Sequence, residues 1–112
     1  MATIYPNTLI EVAKKYAPNS FVADQYSIND LKKEVKKGNP VLIWGTLNRF
    51  EPARMRWCGF GAEPTNGHTM VLCGYHGDEL YFADPIEGHY WINERQVEYV
   101  YIERSKKAIV VQ

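Results

Sequence analysis

The spacing of apolar side chains changes part-way along the chain, from one in every three or four residues to alternating and continuous runs. Thr8 followed by Glu11 reads as a capping box, and Leu9, Val12, Ala13 and Tyr16 then fall at i, i+3, i+4 and i+7. This is the stripe of an amphipathic helix, ended by Pro18. Ser27 with Asp30 repeats the start signal, Ile28, Leu31 and Val35 make the stripe, and Gly38 is placed to stop the helix. Pro40 to Leu47 is apolar on both faces, as expected of a strand covered on both sides. Residues 48–67 have no period and contain Phe50, Trp57 and Phe60 among three glycines and two prolines. A connection of that length in a compact domain is either functional or mobile. His68 to Tyr75 and Glu79 to Asp84 are β-rich runs on either side of His76-Gly77-Asp78, which predicts a hairpin. Gly88 to Ile92 adds a strand, Asn93 with Gln96 caps a short helix through about Tyr101, and Ala108 to Val111 makes a last strand. Two helices followed mainly by hairpin-connected strands predict an α+β fold, with a mostly antiparallel sheet and helices on one side of it.

Composition narrows the function classes. At 112 residues, 46% hydrophobic and 13% aromatic, the chain suits one domain with a real core. Thirteen basic residues balance thirteen acidic ones, so no global field draws it to nucleic acid or to an anionic membrane. Lys32, Lys33, Lys36 and Lys37 share a helix with Asp30 and Glu34, which reads as a solvated face. No apolar run approaches the ~20 residues of a bilayer span, and the N-terminus lacks a signal-peptide pattern. The expected location is cytoplasmic if Met1 is native, and open, the extracellular space included, if the chain is an excised fragment. Two cysteines, Cys58 and Cys73, are too few for a disulfide scaffold. With three histidines but no CxxC or HxxxH spacing, neither a metal nor any other cofactor is implied.

Hairpin parity singles out two residues. Cross-strand partners have position numbers that add to a constant. A three-residue loop at 76–78 pairs Tyr75 with Glu79, His68 with Ile86 and Met70 with Asp84. His68 and Asp84 are then diagonal neighbours on one sheet face, about 7–8 Å apart at the backbone. A five-residue loop would place them directly opposite, and an odd sum would put them on opposite faces. The pattern does not choose among these. Such a pair has a chemical use, because a carboxylate orients an imidazole and favours its protonated form when it acts as a base. The plainer alternative is a strand-end His beside the turn residue of Asp84-Pro85.

Gly67 to Tyr75 (GHTMVLCGY) followed by Leu80 to Pro85 (LYFADP) resembles family thirty-nine of the cysteine peptidases. These are papain-like enzymes that include the bacteriocin double-glycine leader peptidases. Ser27 to Leu31, Lys37 to Trp44 (KGNPVLIW), and Tyr5-Pro6-Asn7 leading into Ala13 to Tyr16 are similar to the family's preceding helices and buried strand. The resemblance covers nearly the whole chain. It implies a papain-like domain, His68 as general base and Asp84 as its orienter, with a peptide or protein as substrate or ligand.

The resemblance also implies a nucleophilic cysteine on an N-terminal helix, after a glutamine that supplies an oxyanion donor, and nothing upstream of His68 matches that element. Cys58 is a weak candidate: Arg54 and Arg56 favour a thiolate, but Gly59-Phe60-Gly61 promises no helix N-terminus to lower its pKa. Cys73, mid-strand among Val71, Leu72 and Tyr75, reads as a buried structural thiol. His76 falls in the turn, His89 reads as a half-exposed strand residue, and Trp44, Trp57, Tyr90 and Trp91 as core or groove wall. The expectation is a peptidase-related domain that is inactive alone. A non-catalytic peptide- or protein-binding domain is the alternative, and a hydrolase of other acyl bonds a third. An uncovered apolar patch near His68 would favour a homo-oligomer or a completing partner, unless loop 48–67 folds over it.

Overall fold

The computed structural model describes residues 6–57, 59 and 62–112. Helix α1 (Pro6–Tyr16) begins ahead of the expected Thr8, with proline, whose fixed φ suits a first turn. Its sheet-facing side is Leu9, Ile10 and Ala13, whereas Val12 and Tyr16 are exposed. A short strand, β1 (Phe21–Val22), was not foreseen, since two residues carry no periodicity. Helix α2 (Ile28–Lys36) follows its sequence signals closely. Ser27 Oγ accepts from the Asp30 N–H, Asp30 Oδ2 accepts from the Ser27 N–H, and Gly38 takes φ +96° at the stop.

Strand β2 (Val41–Thr46) runs in the middle of a six-stranded antiparallel sheet ordered β1-β8-β2-β5-β6-β7, where β5 is Gly67–His76, β6 Glu79–Asp84, β7 Gly88–Asn93 and β8 Ala108–Val110. The last strand does not simply append to an edge. It inserts between β1 and β2, pairing Phe21 with Val110 and Leu42 with Ile109.

One sheet face, carrying Val41, Ile43, Met70, Leu72, Leu80 and Phe82, packs under α2 and under α4 (Glu94–Glu103) through Leu31, Val97, Val100 and Tyr101. On the other face Leu42, Trp44 and Ile109 receive Ile10 of α1. Helices therefore lie on both faces, which corrects the one-sided expectation. Alternate residues of β2 must both be buried, and one layer of helices can cover only one set. This agrees with the two-sided apolar pattern of β2.

Residues 48–67, expected to be one long loop, carry a short turn and two short strands. A single turn, α3 (Leu47–Phe50), follows β2, and β3 (Met55–Trp57) pairs with β4 (Ala62–Pro64) in a separate two-stranded sheet. Among the described residues no helix is long and apolar enough to cross a membrane.

Candidate active site

The β5–β6 turn is tighter than expected. Its loop is Gly77-Asp78 alone, with Gly77 at φ +60°, so Tyr75 pairs with Leu80 and His76 ends the strand instead of lying in the turn. That register gives an odd sum, which would send His68 and Asp84 to opposite faces. A β-bulge prevents this. Gly74 pairs with Tyr81, but Leu72 pairs with Phe82 and Val71 with Ala83, so Cys73 is an extra residue. Beyond it the sum is even, Asp84 falls beside Met70, and His68 becomes its diagonal neighbour. One inserted residue thus decides which face the imidazole occupies.

His68 Nε2 lies 2.8 Å from Asp84 Oδ1, with the two side chains 5% and 0% exposed. The carboxylate can only accept, so Nε2 carries a proton, and in the neutral ring Nδ1 is the nitrogen left free to act as a base. Asp84 Oδ1 also accepts the backbone N–H groups of Ile86 (2.8 Å) and Glu87 (3.0 Å), the turn chemistry expected of Asp-Pro. Its Oδ2 accepts from the Tyr90 hydroxyl at 3.4 Å. Burial pushes the Asp84 carboxyl pKa up, but the His68 hydrogen bond and the N–H groups of Glu87 and Ile86 outweigh it and hold the pKa below its ordinary value. Burial, and then the Asp84 charge, push the Tyr90 hydroxyl well above its ordinary value, so it stays a donor.

The floor of the site comes from β2. Gly45 pairs with His68 across the ladder, and a Cβ there would sit 2.6 Å from Phe50 Cε1. Only glycine lets the Phe50 ring approach this closely. Arg104, buried at the end of α4, donates from Nη1 to the Gly45 carbonyl at 2.8 Å. Asn66, two residues before His68, is buried and ties the 47–54 segment down: Oδ1 accepts from the Arg54 N–H, and Nδ2 donates to Glu51 Oε1 and the Pro52 carbonyl. Sequence reasoning missed Asn66, although Asn66-Gly67 directly before a strand is a turn signal. The place of Tyr90 was legible too, since the β6–β7 hairpin pairs Asp84 with Gly88 and puts Gly88 and Tyr90 on one face.

The other expectations fare unevenly. Cys73 is exposed, not buried, because a bulge residue leaves the alternation that buries Leu72. It stands five positions from His68, roughly 16 Å along a strand, too far for proton exchange. Cys58 and Phe60 lie outside the described residues. Trp44 and Tyr90 are buried, whereas Trp57 and Trp91 are exposed. His89 is exposed and tilts against Tyr81. Within the loop expected to cover an apolar patch, Phe50 is buried against Phe82 at 5.0 Å between centroids.

Two comparisons give this geometry a class. The family model described as "Peptidase_C39 like family" matches residues 1–109, and the chain belongs to that family. It is also similar to a crystal structure from Bacillus anthracis whose protein is named as a C39-like peptidase. The TM-score is 0.82 at 26% identity, over 97% of this chain and 59% of that one. The chain thus spans about three fifths of that chain's length. No curated protein matches the chain. Fold and family together make this a peptidase-related domain of the cysteine peptidase-like kind.

Proposed function

We propose that this domain supplies the base and orienting residues of a cysteine-peptidase site, for hydrolysis of a peptide bond. The observation that carries the reading is the buried 2.8 Å contact between His68 Nε2 and Asp84 Oδ1. With Nε2 engaged, Nδ1 takes the proton of an attacking thiol and returns it to the leaving amine. Asp84 holds the ring in that tautomer and stabilises the imidazolium. Cys73 stands too far from His68, and the sequence around Cys58 promises no helix N-terminus to activate its thiol, so the 112-residue chain alone is expected to show no turnover.

The second reading is a non-catalytic peptide- or protein-binding domain. It is favoured by the exposed position of Cys73, the described cysteine, away from His68.

The test is hydrolysis of fluorogenic peptide pools by the protein expressed from its full natural coding sequence. Turnover abolished by His68→Ala and cut at least ~100-fold by Asp84→Ala is the expected result. Turnover that survives His68→Ala would overturn the assignment. Turnover by the 112-residue chain that vanishes in Cys58→Ser would make Cys58 the nucleophile. Folded protein with no turnover but saturable peptide binding would establish the second reading.

A further inference from the structure

The turn that follows β2 is unusual in handedness. Asn48 (φ 53°, ψ 48°), Arg49 (φ 58°, ψ 56°) and Phe50 (φ 64°) form one turn of left-handed helix without a glycine. L-residues adopt this conformation at a cost, normally singly, and a run of three persists only when the surroundings impose it. Here the surroundings are visible. The Leu47 N–H donates to the Asn66 carbonyl, Asn48 Nδ2 to Glu51 Oε2, Thr46 Oγ1 to the Glu51 carbonyl, and Gln96 Nε2 to the Arg49 carbonyl. The Phe50 ring is buried between Gly45 and Phe82.

This backbone places the Arg49 guanidinium over the Tyr90 ring, 5.0 Å from its centroid. The Tyr90 hydroxyl in turn donates to Asp84 Oδ2. The two carboxylate oxygens are served unequally: among the described residues Oδ1 accepts from His68, Ile86 and Glu87, and Oδ2 from Tyr90. A buried anionic oxygen needs a donor, and without one the carboxylate turns or takes up a proton.

We propose that Tyr90, clamped by Arg49 on the left-handed turn, is a positioning residue that fixes the rotation of the Asp84 carboxylate and keeps it charged toward His68. The catalytic meaning of this arrangement rests on the peptidase reading, but its physical content does not. Asp84 is faced by His68 from β5 and Tyr90 from β7, and Tyr90 in turn by Arg49 from the turn and Glu87 from the β6–β7 connection. Of these, Tyr90 changes neither charge nor ring packing when it becomes Phe.

The experiment is a carboxyl-carbon NMR titration of Asp84 in the 112-residue chain, needing neither thiol nor substrate. Tyr90→Phe is expected to raise the Asp84 pKa by about half a pH unit or more, because a donor to the charged form is lost. Arg49→Gln, at an exposed side chain, is expected to raise it by less. Trp91→Phe, one residue along β7 on the other face, should leave it unmoved. An Asp84 titration in folded Tyr90→Phe that superimposes on the parent overturns the proposal. An unmoved titration in Arg49→Gln overturns the clamping role of Arg49 even should Tyr90→Phe fail to fold. Absence of peptide turnover would touch the peptidase reading alone, and an unmoved Asp84 would leave that reading standing.

Discussion

Gly45→Ala tests how tightly the site floor is built. The added methyl would lie 2.6 Å from Phe50 Cε1 and 3.1 Å from both Met70 Cε and Met70 Sδ. Carbon pairs rest at about 3.5–4.0 Å, so the overlap with Phe50 is roughly 1 Å. Met70 ends in a flexible thioether that can yield. The Phe50 ring cannot easily do so, being wedged against Phe82 and carried by a backbone turn held at Leu47, Asn48, Arg49 and Glu51. Overpacking of this kind costs about 1–3 kcal/mol. Replacing a strand glycine returns about 0.5–1 kcal/mol through the unfolded chain. The net expectation is a loss of about 1–2 kcal/mol. In urea, with a slope of about 1–3 kcal/mol per molar, the midpoint should fall by about 0.3–2 M with the slope unchanged.

Gly74→Ala is the control, since its new methyl would meet Tyr81 Cβ at an ordinary 3.8 Å. Without a clash to offset the stiffer unfolded chain, it should match the parent or exceed it by up to about 1 kcal/mol. In a Phe50→Leu background the Gly45→Ala cost should shrink by about 1 kcal/mol, because the clashing ring atom is gone. A Gly45→Ala midpoint equal to or above the parent's, or a cost independent of Phe50, would refute the argument.

Three further outcomes follow from the site and its strand. Asp84→Ala leaves the Ile86 and Glu87 N–H groups, the Tyr90 hydroxyl and His68 without their shared acceptor, and should cost about 3–5 kcal/mol in urea unfolding; Asp84→Asn, which keeps an acceptor for the two N–H groups, should cost clearly less. Because the folded Asp84 pKa is depressed, its stabilisation is complete above the unfolded value of about 3.9 and fades as pH falls through the folded one. The urea midpoint of the parent should therefore decline more steeply below about pH 4 than that of Asp84→Asn, and parallel declines would contradict this. In a Cys58→Ser background Cys73 should react with a disulfide dye in native buffer as fast as in urea, to within about tenfold, and strong native protection would mean the bulge is not exposed.

Local rules reached some residues reliably. The cap at Ser27, the stop at Gly38 and the two-sided burial of Val41 to Thr46 each depend on neighbours within a few positions, so the amino-acid order alone specified them. The hairpin, the Asp-Pro turn and the candidacy of His68 and Asp84 were legible for the same reason. Their meeting was not, because it rests on parity. A two-residue turn and a bulge at Cys73 each change the parity by one, and the two changes cancel. Nothing local in Leu72-Cys73-Gly74 announces the bulge. It is settled by which register buries Met70, Leu72, Leu80 and Phe82 beneath α2 and α4, a comparison of whole sheet faces. The same holds for α1, whose periodic stripe did not reveal which sheet face it would meet, and for β8, which joins β1 and β2 across most of the chain. The left-handed turn at Asn48 to Phe50 goes furthest in this direction. Its residues disfavour that backbone, and only the tertiary contacts of Phe50, Arg49 and Glu51 supply the energy that holds it.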